Sequence, residues 1–150
     1  MKPLDDSKTI DLNTKLENDL NAERSEWNDK VIDLVNMLKD NRKLSEAQVF
    51  QLSYRQQVQE RIVIYKNILD KRQGQLDKMT VARYREYSIS YDIKLSSTEK
   101  EKFLNADFAA MKQQVNMIKN QIDYFEECVK TLDNFGFAVR NKIEIISQQI

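Results

Sequence analysis

Residues 108–150 decide the fold and read FAAMKQQVNMIKNQIDYFEECVKTLDNFGFAVRNKIEIISQQI. Apolar residues return here at alternating spacings of three and four, which is the repeat of a buried helical seam. Thirteen successive positions keep this phase and no proline interrupts them. The seam consists of Phe108, Met111, Val115, Ile118, Ile122, Phe125, Val129, Leu132, Gly136, Val139, Ile143, Ile146 and Ile150. The pattern predicts a long amphipathic C-terminal helix.

Gly136 is the weak position of this seam, because glycine costs a helix about 1 kcal/mol relative to alanine. We interpret it either as a kink between two helices or as a place where backbones approach closely. A helix of this length cannot bury its seam against itself. Upstream helices could cover it in an intramolecular hairpin, or further copies of the chain could cover it. We favour the second alternative and expect the seam from Phe108 to Ile146 to carry a helical oligomeric assembly.

Two further helices are predicted upstream. The first covers residues 11–40, where Leu12, Leu16 and Leu20 share one face. The polar run 39–43 either breaks this helix from the next or forms a solvated turn. The second helix covers residues 45–73, with an apolar stripe of Tyr54, Val58, Ile62, Tyr65 and Leu69.

Both ends of this second helix carry recognisable signals. Ser45, followed three residues later by Gln48, has the form of a capping box at the helix start. Gly74 follows the last apolar residue of the stripe and is predicted to end the helix as a C-cap.

The pattern changes after Gly74. Between residues 86 and 95 polar residues alternate with the apolar set Tyr87, Ile89, Tyr91, Ile93 and Leu95. A period of two indicates a strand, which would pair with a copy in another subunit or lie as an extended arm on the helices. Ser96 and Glu99 then form a second capping-box pattern.

Composition supports an all-α fold of a few long helices. Only two Gly and one Pro occur in 150 residues, so turns are rare. We expect a single helical domain over residues 1–150 in three parts. Residues 1–74 would form N-terminal helices with a basic end, 75–97 an extended basic and tyrosine-rich connector, and 98–150 the C-terminal oligomerisation helices.

Two common ingredients of catalytic and cofactor sites are missing from the sequence. It has no histidine, which removes the commonest general base and metal ligand. Its isolated glycines form no phosphate-binding loop. Carboxylate-only chemistry remains possible in principle, but the acidic residues are scattered among Lys and Arg, so we expect no enzyme and no cofactor. The lone Cys128 indicates a reducing compartment and a buried thiol, and no apolar stretch approaches the ~18 residues of a membrane span.

Charge is concentrated in the middle of the chain, although the formal net charge is zero. Residues 55–85 carry eight Lys or Arg against three Asp or Glu, a net charge of +5. Tyrosines follow closely, and cations with aromatic rings are typical of single-stranded nucleic-acid binding. A solvated basic face with tyrosines in the core is the alternative. The candidate phosphate contacts are Arg55, Arg61, Lys66, Lys71, Arg72, Arg83 and Arg85, and the candidate base-stacking residues are Tyr84 and Tyr87.

Several motifs resemble the phage recombination mediators, the UvsY-like proteins of T-even and related bacteriophages. The C-terminal helix of that family is similar to IDYFEEC at 122–128 and LDNFGFAVRNKI at 132–143. YDIKL at 91–95 and FLNAD at 103–107 resemble its extended segment and its entry to the last helix. Lys66, Leu69, Asp70 and Gly74 stand at the spacing of its basic helix end, with Ile68 where a second basic residue is usual.

The resemblance covers about residues 60–150 and carries clear functional expectations. It implies a homo-oligomeric ring of six or seven subunits joined through C-terminal helices. Such a ring binds single-stranded DNA, loosens the phage single-strand-binding protein and helps a RecA-like phage recombinase to form a filament. It would act in the cytoplasm of the infected bacterial host. The competing hypothesis is a helical adaptor or scaffold that uses its C-terminal seam to bind another protein and does not bind DNA.

Overall fold

The computed structural model describes residues 7–89 and 94–149, and in these ranges it is all-α with no strand. Four α-helices follow one another: α1 (Ser7–Met37), α2 (Leu44–Ile89), α3 (Ser97–Asp107) and α4 (Ala109–Gln148). A single 3-10 turn, Asn41–Lys43, separates α1 from α2. The all-α prediction is confirmed.

The polar run after α1 is a true break. The Asp40 side chain accepts a hydrogen bond from the backbone N–H of Arg42 and so caps the 3-10 turn. α2 then begins at Leu44, which places Ser45 inside its first turn. The predicted capping box at Ser45 and Gln48 is therefore wrong, because Asp40 already supplies the cap one turn earlier.

α2 continues without interruption through Gly74 to Ile89. Gly74 does not adopt the positive φ of a C-cap, so the predicted helix end is wrong. Residues 75–89 are helical rather than an extended connector, and the predicted strand is wrong for residues 86–89. Residues 90–93 of that strand lie outside the described ranges. In a strand Tyr87 and Ile89 would lie on the same face. In the helix they lie on different faces, and Tyr87 is buried while Ile89 is exposed at the helix end.

The second capping box is confirmed. The Ser96 side chain accepts from the N–H of Glu99, and the Glu99 carboxylate accepts from the N–H of Ser96. α3 ends at Asp107, and the N–H of Phe108 donates to the carbonyl of Leu104 at 3.1 Å. The predicted C-terminal helix therefore begins one residue after Phe108.

The chain forms two compact units. Unit 1 comprises Met1–Asp19 and Asn67–Asn120, and unit 2 comprises Leu20–Lys66 and Gln121–Ile150. Unit 1 has a core cluster of buried side chains, with Leu69 and Met111 packed against it: Leu76, Tyr87, Leu95, Leu104, Phe108 and Val115. Unit 2 completely buries several apolar side chains, among them Leu34, Val58, Phe125, Leu132 and Val139.

The seam of α4 is largely buried within one chain. Phe108, Val115, Ile118, Ile122, Phe125, Leu132 and Val139 are buried, whereas Met111, Val129, Gly136, Ile143 and Ile146 are partly exposed. α4 passes through Gly136 as one helix, so the predicted kink is absent. The predicted close approach at Gly136 is to a side chain rather than to another backbone, because a Cβ at Gly136 would lie 3.0 Å from the Gln51 amide nitrogen. Cys128 is buried, as the sequence predicts.

Buried amides join the long helices inside each unit. In unit 1, Asn13 Nδ2 donates to the carbonyl of Ala110 at 2.6 Å. In unit 2, Gln121 Nε2 donates to the carbonyl of Leu20 at 3.2 Å, and Gln51 Nε2 donates to the carbonyl of Leu132 at 3.1 Å. A shift of one helix along its neighbour would leave these buried donors unpaired, so the amides fix the register of the helices.

Candidate nucleic-acid interface

Arg61 and Tyr65 of α2 form a clamp around a carboxylate of α1. The Arg61 guanidinium donates to Glu23 through Nε at 2.7 Å and through Nη2 at 3.0 Å. The Tyr65 hydroxyl donates to the same carboxylate at 2.5 Å, and the guanidinium carbon lies 4.8 Å from the centre of the Tyr65 ring. Tyr65 also stacks on Phe125 at a centroid distance of 5.9 Å. Because its guanidinium already forms an ion pair with Glu23, Arg61 is a poor phosphate contact.

The same arrangement recurs in unit 1, where Arg83 and Tyr87 hold Asp107. Arg83 Nε lies 3.2 Å from Asp107 Oδ2, and the Tyr87 hydroxyl donates to the same oxygen. Arg83 also pairs with Glu86 at 2.8 Å. Tyr87 stacks on Phe103 at 5.6 Å, and the Arg83 guanidinium lies over the Tyr87 ring at 5.1 Å. We call these two arrangements the unit 2 clamp (Arg61, Tyr65, Glu23) and the unit 1 clamp (Arg83, Tyr87, Asp107).

Burial and the carboxylates change the titration of both clamps. Loss of solvent raises the pKa of Tyr65 to about 12, and its hydrogen bond to Glu23 raises it in the same direction. Burial, followed by the bond to Asp107, also raises the pKa of Tyr87. The bond to Glu23 raises the pKa of Arg61. Both hydroxyls therefore keep their protons through the neutral range and act as donors.

Three more of the predicted phosphate contacts have partners in their own chain. Arg55 Nε lies 2.6 Å from Asp133 Oδ1, and Lys66 Nζ lies 3.6 Å from Glu126 Oε1. Arg72 Nη1 donates to the buried Gln114 at 2.7 Å. Together with the two clamp arginines, five of the seven predicted cations thus serve contacts within the chain.

Lys71 and Arg85 are the predicted cations that stay free. Both are exposed on α2, and no carboxylate in the ranges 7–89 and 94–149 lies within ion-pair distance of either. Lys78 stands midway between them and is equally exposed and unpaired within those ranges. We call Lys71, Lys78 and Arg85 the cation row.

The cation row follows one face of the helix. Its residues are seven apart, so each is displaced by only about 20° from the one before and lies about 10 Å further along the axis. Lys78 belongs to the basic segment of residues 55–85 but is not among the phosphate contacts predicted from the sequence. The seven-residue spacing was the signal that could have identified it.

The exposed ring of Tyr84 precedes Arg85 by one position, so it lies about 100° round the helix from the row and in line with Asp70 and Asp77. Tyr84 is 41% exposed, and Lys100 of α3 places its ammonium 5.3 Å from the centre of the Tyr84 ring. Tyr84 therefore offers ring surface next to cations, as a base-stacking residue requires. Tyr87 does not, since it is buried in the unit 1 clamp. Asp70 and Asp77 are exposed on the same helix, and Asp77 accepts a bond from Gln73 at 2.9 Å.

Among the described residues, no group of three or more Cys, Asp or Glu side chains lies close enough together to hold a metal ion. None of the described helices combines the length and apolar character needed to cross a bilayer.

Burial raises the pKa of the Cys128 thiol, which lowers the fraction of reactive thiolate.

Comparisons with protein-family models, curated proteins and solved structures found no match to this chain.

Proposed function

We propose that this protein binds single-stranded DNA through the cation row and serves as a phage recombination mediator. The observation that carries the proposal is the row itself: three exposed cations on one helical face, unpaired among the described residues, with the exposed Tyr84 on the adjacent face of the helix. Lys and Arg that neutralise phosphates release counterions, and an exposed ring stacks on bases without strong sequence preference. A neutral net charge limits indiscriminate binding to duplex DNA.

The mediator role rests on the family resemblance of residues 60–150. In this role the protein would loosen the phage single-strand-binding protein and help a RecA-like phage recombinase to load, in the cytoplasm of the infected host. One row of three cations is a weak site, so a ring of six or seven copies would supply affinity through avidity.

Assembly would need a surface other than the buried part of the α4 seam. In unit 2, α2 exposes Val49, Leu52 and Val63 at helical spacing on one face. This apolar stripe is suited to contact between copies. The same stripe is the observation that favours the second candidate function, a helical adaptor that binds another protein and not DNA.

The deciding experiment measures the affinity for labelled oligo(dT) by fluorescence anisotropy at several salt concentrations. The variant Lys71→Gln/Lys78→Gln/Arg85→Gln should bind about a hundredfold more weakly near 0.1 M salt. Its salt slope should be shallower by about 2, because three phosphate contacts are lost.

The matched control is Lys30→Gln/Lys66→Gln/Lys130→Gln. It removes the same charge from lysines that already pair with Glu26, Glu126 and Glu127, and it should bind nearly as well as the unmodified chain. Equal losses in both variants would show a nonspecific charge effect and contradict the row. If the unmodified chain fails to bind even at low salt, the adaptor becomes the better explanation.

A further inference from the structure

Unit 2 contains an open groove of about 500 Å³ between α2 and α4. Gln48 and Leu52 line it from α2, and Gly136 and Phe137 line it from α4. Gly136 contributes no side chain to the floor of the groove. The Gln51 amide lies below the glycine and is fixed by its bond to the carbonyl of Leu132. The volume is within the usual range of ligand pockets, about 300 to 1,000 Å³.

Two apolar side chains of this groove are open to solvent. Leu52 is 61% exposed and Phe137 is 56% exposed. Aromatic side chains and arginine, here Phe137 with Arg140 of the same groove, are enriched at the centres of protein interfaces. A partner that covers both would bury apolar area that this chain leaves in water.

The charges of the groove define what could bind there. Arg55 is already paired with Asp133 at 2.6 Å. Arg140 lies over the Phe137 ring at 4.7 Å and has no carboxylate within ion-pair distance in the described parts of the chain. The groove thus holds two cations and one anion, which leaves a single positive charge at Arg140. That balance suits one carboxylate.

We infer that the groove binds an extended peptide segment of a partner protein, in which one carboxylate stands next to an apolar side chain. The carboxylate pairs with Arg140, the apolar side chain packs between Leu52 and Phe137, and the Gln48 amide bonds to the peptide backbone. A nucleic-acid strand suits the groove less well, because Asp133 on its wall would repel the phosphates. This site lies in unit 2 and does not depend on the cation row.

The probe is a panel of short synthetic peptides in which one Asp precedes Leu, Ile or Phe, each with an Asn counterpart. Binding to the full chain is followed by calorimetry and by heteronuclear NMR of the Gly136 amide and the Gln48 side-chain amide. Asp peptides should bind about tenfold more tightly than their Asn counterparts, the value of one charge-assisted hydrogen bond. Arg140→Gln should remove that preference.

Two further variants test the position of the peptide. Phe137→Ser should weaken every peptide by a similar factor, since it removes one apolar wall. Lys130→Gln should change nothing, because Lys130 is an exposed cation of the same helix that pairs with Glu127. Equal binding of Asp and Asn peptides, or no NMR shift at the groove for any peptide, would overturn the proposal. Groove shifts caused by oligo(dT) but not by the peptides would overturn it too and assign the groove to nucleic acid.

Discussion

The two clamps use one set of groups in two environments. Each has an arginine of α2, a tyrosine four residues later, and a carboxylate from another helix. The Arg83 side chain is only 10% exposed, whereas that of Arg61 is 36% exposed. The unit 1 clamp is therefore part of a core, and the unit 2 clamp lies at the edge of one.

This difference explains which cations remain for a ligand. Unit 1 encloses its clamp arginine in protein, and the exposed cations that remain around it, Lys71, Lys78 and Arg85, have no acidic partners in the described ranges. In unit 2 the cations of the basic segment are paired instead, as at Arg55 with Asp133 and Lys66 with Glu126. The same basic segment thus supplies a candidate interface in one unit and stabilising ion pairs in the other.

The largest expected effect comes from breaking the clamps one at a time. Asp107→Asn removes one charged partner from the buried Arg83 and should cost about 3 kcal/mol of unfolding free energy. Glu23→Gln should cost about 1 kcal/mol, because water can solvate the freed Arg61. Urea denaturation followed by circular dichroism measures both. An equal or larger loss in Glu23→Gln would refute the assignment of core and edge.

A smaller effect is expected at alkaline pH. An unfolded tyrosine loses its proton near pH 10, while folded Tyr65 has its pKa raised to about 12. The stabilisation from the neutral hydroxyl is therefore complete below about pH 10 and is lost as the pH rises to about 12.

Between about pH 9 and 12, the Tyr65→Phe variant should lose roughly 1 to 2 kcal/mol less unfolding free energy than the unmodified chain. Tyr54→Phe is the control, since Tyr54 packs on Trp27 and donates to no carboxylate among the described residues. Denaturation at several pH values between about 9 and 12 compares the two. If Tyr65→Phe loses as much unfolding free energy over this pH range as the unmodified chain, the unit 2 clamp does not contribute to the alkaline loss of stability.

The smallest effect comes from the two glycines, one in each unit. Gly74 has nothing within 4 Å of an added Cβ, so Gly74→Ala should stabilise the protein by about 0.5 to 1 kcal/mol. Gly136→Ala should gain little or lose stability, because the new methyl group displaces the Gln51 amide from the carbonyl of Leu132. Thermal melts of both variants test this. A clear gain at Gly136 would mean that Gln51 adapts without losing its bond.

Much of the fold could be predicted because helical periodicity is local. The C-terminal helix, the first helix and the capping box at Ser96 all depend on residues a few positions apart. The structure confirms the capping box and both helices, although the first ends at Met37 rather than near residue 40. The errors at Gly74 and at residues 86–89 arose from equally local signals. A single glycine costs a helix about 1 kcal/mol, and the tertiary packing of α2 outweighs both this cost and the weak strand signal at residues 86–89.

The sequence by itself determined that this chain is helical, that its middle segment is basic and that it has no histidine. Only the tertiary structure decided which of those basic residues are available to a ligand. Arg61 meets Glu23 across 38 positions, Arg55 meets Asp133 across 78 and Arg83 meets Asp107 across 24. Ion pairs form where folding brings side chains within a few ångströms, and no local pattern records that distance. The cation row is what remains after those pairs have formed.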